Sequence, residues 1–496
     1  MNSKIFNTLC KKNSKNKKTA LIFENQIISY SELITNSKIV AENLSRENKL
    51  LKTRIIVALE NSEKYVYLLL AASKLNLSLV LVSPDIRSNE LNEIKKDASL
   101  LIVDKKNIIN YKLFLNKINL YSIEDLIEKK NNKLKRLVNL KKKDFIINFS
   151  SGSTGDPKEI IYTQELKIER AKQLKLNILN KKKNTFINYA PIYHSLGQRL
   201  VFSSILNTNK LILMRKFNFF EWEKSIKKYK VTILFPISSH LNILVESLLR
   251  KKNNYISVEK IVASSSQITK KTKNTIVNKF KNIFYEAYGA AEVAFVSILR
   301  PIDHKSKKNS VGKILKDIKI HVLRNNKKSS YGEICCKTKF LSKFSQKEKN
   351  NSKIFYKKTF FRTGDLGYLD KDKYLYYVSR NKDIIIKSGL NIIPKIIEDR
   401  ILEETLIKKC AVIGVKDEIF GETPIAICEI IKSQRYLAEK FESNLLYKLS
   451  KQQMPAKFIY VNSLKFLPTG KIDKVYYKKK YSKMIINKGK TKLFIS

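Results

Sequence analysis

Short apolar runs alternate with longer helix-like segments through the first third of the chain. "RIIVALE" and "SLLIVDK" are strand-like, while Tyr65–Leu75 has the length and apolar content of a buried helix. Parallel strands need a crossover connection, which is usually a helix, so this alternation predicts a largely parallel α/β sheet. The alternation resumes between Thr163 and Phe295. We therefore predict an α/β fold whose large N-terminal part contains sheet-based subdomains.

Three local features of the N-terminal part carry more specific expectations. "TALIFEN" and "QIISY" are expected to form a short hairpin, and Ser31 is the expected cap of the helix that follows it. The segment 111–143 is rich in Lys and Asn and poorly patterned, so we interpret it as a variable surface region.

The pattern changes twice toward the C-terminus. Between Val311 and Leu375 the apolar period shortens toward two, which indicates a β-rich subdomain. Beyond Arg380 helix-like and strand-like segments mix again, as in a small α+β domain. We place the domain boundaries at 1–381 and 382–477, followed by a basic tail over 478–496.

The formal net charge of +54 has two explanations. A basic protein can bind a nucleic acid or an anionic membrane surface. The other explanation is compositional drift, because Lys, Asn and Ile are abundant whereas Gly (13) and Pro (9) are scarce. The basic residues are spread along the chain rather than gathered on one element, so we favour drift and expect no specific nucleic acid partner.

The cysteines and the apolar segments bear on the compartment. The five cysteines lack metal-ligand or disulfide spacing, which is typical of a reducing compartment. No apolar core follows the charged N-terminus, so no secretory signal is expected. The most apolar stretch, Tyr65–Val82, is interrupted by Lys74 and Asn76 and is predicted to be a buried helix followed by a strand. We expect a cytoplasmic protein without a transmembrane segment.

The loop "SSGSTGDPK", Ser150–Lys158, follows a buried strand-like run. Glycine lets a backbone approach phosphate closely, successive N–H groups form an anion-binding nest, and a lysine adds a point charge. The loop is not a Walker A motif, because its Lys does not directly follow the second Gly. A plain surface loop of this composition is the alternative interpretation.

Four further motifs follow the loop in order. They are "YGAAE" (Tyr288–Glu292), "RTGDLGYLD" (Arg362–Asp370), "SRNKDIIIKSGLNIIP" (Ser379–Pro394) and "LPTGKIDK" (Leu467–Lys474). The Glu of the first can hold Mg²⁺ together with substrate phosphates, although such a residue is more often a solvated carboxylate. The Asp of the second can bind both hydroxyls of a ribose, although β-turn Asp residues are commoner.

Together, in this order and spacing, the five motifs resemble the adenylate-forming acyl-CoA synthetases and their relatives, which include aryl-CoA ligases, luciferases and peptide-synthetase adenylation domains. The resemblance covers nearly the whole chain. It implies an AMP-binding N-terminal domain and a mobile C-terminal domain. It also implies an acid–thiol ligase that uses ATP, Mg²⁺ and CoA, joins a carboxylic acid to AMP with release of pyrophosphate, and then transfers the acyl group to CoA.

The resemblance assigns the nucleotide-binding residues. Those of the phosphate loop match Ser151, Ser153, Thr154 and Lys158. Glu292 matches the Mg²⁺ ligand, and Tyr288 matches the aromatic residue beside adenine. Asp365 and Arg380 match the residues that contact ribose.

The resemblance also assigns catalysis and thiol transfer. Lys471 matches the essential lysine of adenylation, and it joins Glu292 and Thr154 as a catalytic residue. Lys382 matches the hinge about which the C-terminal domain turns. Ser388 and Gly389 match the loop that borders the pantetheine of CoA. His194 resembles a catalytic His at the junction of acid and thiol, with an ordinary core or surface His as the alternative.

Three positions depart from the family pattern. Ala291 stands where the family usually has Thr, so one hydroxyl contact to phosphate is missing. Glu159 follows the loop lysine, where Gly is usual, and is expected to place a negative charge near the triphosphate. Ser264–Gln267 replaces a glycine-rich stretch that often borders the acyl-adenylate, and its side chains are expected to narrow the acyl pocket.

Two alternatives to a CoA ligase stay open. One is a stand-alone adenylation enzyme that loads a fatty, aryl or amino acid onto the phosphopantetheine of an acyl carrier protein. Phe235–Ser239 contains no acid to meet an ammonium group, which disfavours an amino acid. The other is a degenerate basic binding protein without activity. The pocket expected around His194, Ser239, Ser264 and Gly289 is small, apolar or neutral, which favours an uncharged acid tail.

Overall fold

The computed structural model describes most of the 496 residues. These are residues 4–46, 54–94, 98–112, 118–128, 144–150, 158–179, 183–250, 256–264, 268, 270–280, 282–324, 326, 329–344, 351–404, 406–430, 438–467, 470–482, 484–487 and 490–493. Every structural statement below concerns these ranges.

The helices are 5 to 16 residues long. In chain order they are α1 Lys4–Asn13, α2 Tyr30–Ser45, α3 Glu63–Leu75, α4 Ser88–Ile94, α5 Ile108–Lys112, α6 Ile123–Glu128, α7 Gln164–Asn177, α8 Ser195–Leu206, α9 Phe219–Tyr229, α10 Ser238–Arg250, α11 Lys270–Lys279, α12 Pro394–Ile401, α13 Ala438–Leu445 and α14 Lys474–Lys480. In the described ranges, no helix combines the length and the apolar character that crossing a membrane requires.

The strands are short in the N-terminal part and longer near the C-terminus. They are β1 Thr19–Phe23, β2 Gln26–Ser29, β3 Arg54–Ala58, β4 Leu79–Leu81, β5 Ala98–Val103, β6 Asn119–Ser122, β7 Ile146–Ser150, β8 Lys158–Tyr162, β9 Thr185–Asn188, β10 Lys210–Leu213, β11 Ile233–Leu234, β12 Lys260–Ala263, β13 Phe284–Ala290, β14 Ala294–Leu299, β15 Lys313–Ile314, β16 Ile318–Leu323, β17 Gly332–Thr338, β18 Phe355–Tyr356, β19 Phe360–Leu369, β20 Leu375–Arg380, β21 Ile385–Lys387, β22 Leu390–Ile392, β23 Ile407–Asp417, β24 Gly421–Ile430, β25 Lys457–Val461, β26 Met484–Asn487 and β27 Lys490–Leu493.

Two mainly parallel sheets form the N-terminal part, which confirms the predicted α/β class. One has the order β15-β14-β13-β12-β11-β9-β10-β1-β2, and the other has the order β6-β5-β3-β4-β7-β8. Side chains from both sheets and from α3, α7 and α8 share one core, including Leu69, Leu174 and Phe202. This packing fixes α7 and α8 beside the strand ends that carry the candidate site.

Two further sheets follow. The β-rich subdomain predicted between Val311 and Leu375 is confirmed: β16, β17, β19 and β18 pair in that order, and β20 joins β19. The last sheet has the order β22-β21-β24-β23-β26-β27, with β25 paired to β24, and it lies wholly beyond Arg380. The exact domain boundaries stay a prediction.

Two local expectations, the β1–β2 hairpin and the cap of α2, have different outcomes. The β1–β2 hairpin is confirmed, but β1 also pairs in parallel with the distant β10. Ser31 is not the cap of α2. Ser29 fills that role, because its hydroxyl accepts from the backbone N–H of Glu32 while the Glu32 carboxylate accepts from the backbone of Ser29. A spacing rule alone cannot choose between two serines only two positions apart, of which Ser29 precedes the helix and Ser31 lies in its first turn.

Two segments are more ordered than predicted. The region 111–143 contains β6, which pairs in parallel with β5, and α6, whose Ile123 and Leu126 are buried; residues 113–117 and 129–143 lie outside the described ranges. The predicted tail 478–496 contains β26, which pairs with β23, and β27, which pairs with β26. The last sheet therefore includes residues that composition alone had assigned to a tail.

Candidate active site

Asp365 lies at the centre of a buried group of polar side chains. It sits on β19 directly opposite Arg380 on β20. The Arg380 Nε donates to Asp365 Oδ1 at 3.0 Å, and the Tyr288 hydroxyl donates to Asp365 Oδ2 at 2.8 Å. Asp365 is only 4% exposed. Each oxygen of the carboxylate therefore accepts one hydrogen bond from the protein. These two bonds fix the carboxylate and leave further lone pairs for a ligand.

The hydroxyl of Tyr288 keeps its proton at any ordinary pH. Burial, and then the nearby charge of Asp365, raise the pKa of Tyr288 well above its usual value. The ring of Tyr377 lies 6.3 Å from that of Tyr288, centroid to centroid. The two rings give the Asp365 group an aromatic wall, and the placement of Tyr288 beside adenine stays a prediction.

Lys471 shares the electrostatic environment of Asp365. It follows Gly470, whose φ of +79° is a conformation that glycine adopts without strain, and its carbonyl accepts from the Leu467 N–H at 2.8 Å. Burial lowers the pKa of Lys471; Arg380 lowers it further, whereas Asp365 acts in the opposite sense. The sequence-predicted residues Lys471, Asp365 and Arg380 therefore lie together.

Lys382 occupies an exposed turn directly after Arg380, over Asn381–Asp383. The Nζ of Lys478, on α14, donates to the backbone carbonyl of Lys382 at 3.3 Å. The predicted hinge position thus touches the helix that follows the Lys471 loop.

Glu292 lies in the turn between β13 and β14, where α7 holds the backbone. Arg170 donates through Nη1 to the Ala291 carbonyl at 2.8 Å and through Nη2 to the Glu292 carbonyl at 2.7 Å. The Tyr162 hydroxyl also donates to the Ala291 carbonyl, at 3.1 Å. Sequence analysis missed Arg170, whose only sequence signal is a basic residue on the inner face of α7.

The Glu292 carboxylate is partly buried, and within the described ranges it forms no ion pair. Burial raises its pKa, although Arg380 and Arg170 act in the opposite sense. A partly buried acid without a cation is suited to Mg²⁺, which takes one or two carboxylates and completes its shell with phosphate and water. The same ranges contain no cluster of three or more His, Cys, Asp or Glu residues that could bind a metal.

The strands on either side of the phosphate loop are described, but most of the loop is not. Ser151, Ser153 and Thr154 lie outside the described residues. Lys158 opens β8 and pairs with Ser150 on β7, and its side chain is likewise outside the description. Glu159 is paired with Arg54, with a second contact between Nη2 and Oε2 at 3.0 Å. Its charge is therefore compensated within the protein.

His194 caps the N-terminus of α8 through its backbone position rather than its side chain. The ring is partly buried, and its Nε2 has no hydrogen-bond partner within the described ranges. Burial lowers the pKa of His194 to about 4. The imidazole is therefore neutral at physiological pH, with one nitrogen left for a ligand.

Ser388 and Gly389 form the tip of the β21–β22 hairpin. Both have positive φ, 49° and 77°, as a tight two-residue turn requires. Both are exposed, and the Ser388 N–H donates to the Phe420 carbonyl at 2.8 Å. In the described ranges, no hydrogen bond or ion pair links this tip to the Asp365 group.

Arg199 is a second basic residue that sequence analysis did not single out. It lies on the first turns of α8, and its guanidinium carbon is 4.0 Å from the centroid of the Phe295 ring. Phe295 pairs with Gly289, next to Tyr288. Arg199 thus lies on the helix that His194 caps. Its guanidinium contacts Phe295 on β14, the strand that follows the turn carrying Glu292.

A model of the AMP-binding enzyme family matches residues 10–344, which is more than half of the chain. The chain belongs to the AMP-binding enzyme family. The match spans the phosphate loop and both Tyr288 and Glu292, so the family is identified by the part of the chain that contains most of the nucleotide site.

Individual proteins extend the similarity over more of the chain than the family model matches. A 2-succinylbenzoate–CoA ligase of Oceanobacillus iheyensis is 26% identical over 458 residues, covering 90% of this chain and 93% of that one. A probable 4-coumarate–CoA ligase of Dictyostelium discoideum is 27% identical over 314 residues, 61% of this chain and 57% of its own length. The o-succinylbenzoate CoA synthetase of Bacillus subtilis, solved with its acyl-adenylate intermediate, shares the fold at a TM-score of 0.84, with 23% identity and coverage of 96% and 97%.

Proposed function

We propose that this chain is an ATP-dependent carboxylic acid:CoA ligase. The observation that carries the proposal is the convergence of Lys471 with Asp365, Arg380 and Tyr288, because these residues come from four separate motifs spread along the chain from Tyr288 to Lys471. The family membership and the similarity to CoA ligases along the full chain support it.

In the proposed first half-reaction, a carboxylate oxygen attacks the α-phosphorus of ATP and the bond to pyrophosphate breaks. Both reactants are anions, so their approach requires cations. We assign Lys471 to the carboxylate and the α-phosphate; burial lowers its pKa, and the neighbouring cations Arg380 and Lys382 lower it further. Fixing the two reactants beside each other makes the step effectively intramolecular.

We assign the remaining nucleotide contacts from the sequence motifs. Asp365, held by Arg380 and Tyr288, accepts the ribose hydroxyls, and the Tyr288 ring flanks adenine. Ser151, Ser153, Thr154 and Lys158 bind the β- and γ-phosphates. Glu292 would hold Mg²⁺, which when bound supplies positive charge to the leaving pyrophosphate.

In the proposed second half-reaction, the thiol sulfur attacks the acyl carbon, loses its proton, and AMP leaves as the C–O bond breaks. The thiol needs a path to a carbon that Lys471 covers, so the C-terminal domain turns about Lys382. The turn brings Ser388 and Gly389 to border the pantetheine. His194, neutral and with a free nitrogen, lies at the junction of acid and thiol.

CoA is the proposed thiol, and an acyl carrier protein is the second candidate. The β21–β22 hairpin, whose tip is the predicted pantetheine loop, carries two exposed apolar side chains: Ile386 is 55% exposed and Leu390 is 52% exposed. Phe420, beside this hairpin, is 43% exposed. Such an apolar surface suits contact with a protein as well as with the N-terminal domain. The cysteine pattern in the sequence supports a cytoplasmic location for either reaction.

The experiment is magnesium-dependent pyrophosphate release with a panel of short, long, aromatic, dicarboxylic and amino acids, each with and without CoA. Release that requires an acid, with the acyl-CoA thioester detected by mass, is the expected result. Acid-dependent release without a thioester indicates a carrier protein. No release with any acid contradicts the proposal and favours a binding-only protein, whose nucleic acid affinity would fall steeply with salt.

A further inference from the structure

One ion pair connects the helix that follows the Lys471 loop to the last sheet. The Nζ of Lys474, on α14, lies 2.7 Å from Oε1 of Glu398, on α12. The two side chains are 23% and 13% exposed, so water and salt screen their attraction less than at the open surface. The same carboxylate oxygen accepts from the Val412 N–H, in β23, at 2.9 Å. The pair thus anchors Lys474 to a central strand of the sheet.

The loop that carries Lys471 is closed onto the same helix. The Lys465 N–H donates to the Tyr477 hydroxyl, on α14, at 2.9 Å. The Asp473 N–H donates to the Lys465 carbonyl, also at 2.9 Å. Lys474 is only three residues from Lys471, which limits the separation of their Cα atoms to about 11 Å. A displacement of Lys474 is therefore transmitted to Lys471.

The charges around Lys474 keep the pair intact at neutral pH. Burial alone would lower the pKa of Lys474, but Glu398 and then Asp383 raise it above its usual value. Asp383 lies in the turn at the predicted hinge, and it acts on the pKa of Lys471 in the same sense. Both lysines therefore lie within the electrostatic reach of one turn.

Every group of this anchor lies beyond Arg380. α12, β23 and α14 belong to the part of the chain that, in the proposed mechanism, turns about Lys382. The ion pair therefore turns with the Lys471 loop and is kept in both half-reactions. Lys471 itself is assigned to the first half-reaction only. Loss of the pair should consequently affect the two half-reactions differently, which a general loss of stability would not do.

We propose that Glu398 and Lys474 are positioning residues for adenylation, which hold the Lys471 loop where its amine reaches both anionic reactants. This inference rests on the proposed ligase function and gives a role to two residues that the motifs left without one. A displacement of about 1 Å at a reacting group can cost about 100-fold in rate. The pair touches no reactant, so its loss should lower kcat and leave the KM values for ATP and acid nearly unchanged.

The test measures each half-reaction in single-turnover assays, with the acid that releases pyrophosphate fastest in the panel above. The variants are Lys474→Met, Lys474→Arg, Glu398→Gln and the double variant Lys474→Met/Glu398→Gln. Glu398→Gln keeps an acceptor for the Val412 N–H, so it decides the question if Lys474→Met does not fold. Steady-state titrations of ATP and acid separate kcat from KM.

Lys395→Met is the matched control. Lys395 pairs with Asp399 within α12, and the two side chains are 16% and 20% exposed. The control therefore removes an ion pair of similar burial from the same helix, without touching α14. Thermal unfolding of every variant measures how much stability each substitution costs.

We expect Lys474→Met and Glu398→Gln to slow acyl-adenylate formation by about 10- to 100-fold. Thioester formation from pre-made acyl-adenylate should be nearly unchanged. Lys474→Arg, which keeps the ion pair, should retain most of the rate. The double variant should be no slower than the slower single variant, because the pair can be lost only once. Equal losses in both half-reactions, additive single effects, or an equal loss in Lys395→Met each overturn the inference.

A failure of the ligase proposal is distinguishable from a failure of this inference. If no acid releases pyrophosphate, the ligase proposal fails, and amide hydrogen exchange decides whether the pair positions the Lys471 loop. The N–H groups of Leu467 and Asp473 bond within that loop. They should exchange faster in Lys474→Met and Glu398→Gln than in the unmodified chain or Lys395→Met. Unchanged exchange, or exchange that is equally faster in Lys395→Met, overturns the inference.

Discussion

On the nucleotide side of the candidate site both oxygens of Asp365 are taken by protein donors, whereas on the acid side, which we place at the helix that begins at His194, Arg199 has no carboxylate partner in the described ranges. Asp365 is nearly inaccessible, and Arg199 is partly exposed. The nucleotide side is thus preorganised by the chain itself. The acid side has a cation, Arg199, that contacts the face of Phe295 but has no carboxylate partner in the described ranges, so it is where we look for substrate specificity.

The same contrast separates the polar groups next to these two residues. Tyr288 and Arg380 are fixed by their contacts with Asp365, whereas the Glu292 carboxylate has no ion pair and the Nε2 of His194 has no partner within the described chain. A carboxylate without a counter-ion and an unpartnered ring nitrogen are costly away from water, and we assign the first to a metal and the second to a substrate. The following predictions test this division, beginning with the largest effect.

Lys471→Ala removes the cation that we assign to both the acid carboxylate and the α-phosphate of ATP. We expect acyl-adenylate formation to fall by about 10²- to 10³-fold or more, because the cation between two anionic reactants is lost. Thioester formation from pre-made acyl-adenylate should be nearly unchanged. Single-turnover assays of each half-reaction measure both, with the exposed Lys451→Ala as the matched control. If both half-reactions fall together, Lys471 does not have the two-state role assigned to it.

Asp365→Asn tests the preorganised side. The substitution weakens the contacts with Arg380 and Tyr288 and the binding of ribose, so we expect kcat/KM for ATP to fall by about 10- to 100-fold. The KM for the acid should change little. Steady-state titrations of ATP and acid separate the two, and Asp317→Asn, which removes an exposed ion pair with Lys339, is the control. A selective rise in the KM for the acid would reverse the assignment of sides.

The Glu292 carboxylate should make the activity depend on pH. Burial raises its pKa, and the ionised form is the one that binds Mg²⁺, so activity should fall on the acidic side at a higher pH than an ordinary glutamate would give. Glu292→Gln should abolish this acidic limb and weaken activity about tenfold at low magnesium. The pH profiles of pyrophosphate release at low and saturating magnesium test this, and an unchanged limb in Glu292→Gln assigns it to another group.

The same pKa shift has a consequence for stability. The folded chain binds the Glu292 proton more tightly than the unfolded chain, so this group favours folding below its unfolded pKa and loses that contribution as the pH rises through the folded pKa. Magnesium should therefore raise the Tm more at neutral than at acidic pH. Glu292→Gln should remove this pH dependence of the magnesium effect.

Ala291→Thr is expected to have the smallest effect. The Ala291 carbonyl is held by Arg170 and Tyr162, so a new hydroxyl changes the side chain without changing the turn. Adenylation should stay within about tenfold of the unmodified rate or improve by the contact that the hydroxyl adds. The ATP dependence of pyrophosphate release measures it. A large loss would show that Ala291 does not face the phosphates.

Sequence patterns predicted the features that depend on neighbours along the chain. The alternation that gave β3, α3 and β5, and the period of two after Val311, come from local burial patterns and are confirmed. β6 and β26 were missed because their order depends on pairing with β5 and β23, which composition does not show. Arg199 was missed for a related reason: only the packing of α8 against β14 shows that its guanidinium contacts Phe295.

The most direct test of the central claim is acid-dependent exchange of labelled pyrophosphate into ATP. Exchange requires the chain to form and reverse an acyl-adenylate, so it reports the first half-reaction without a thiol. We predict magnesium-dependent exchange that needs a carboxylic acid and is lost in Lys471→Ala. Bound ATP with no exchange for any acid, or exchange that persists in Lys471→Ala, would contradict the account.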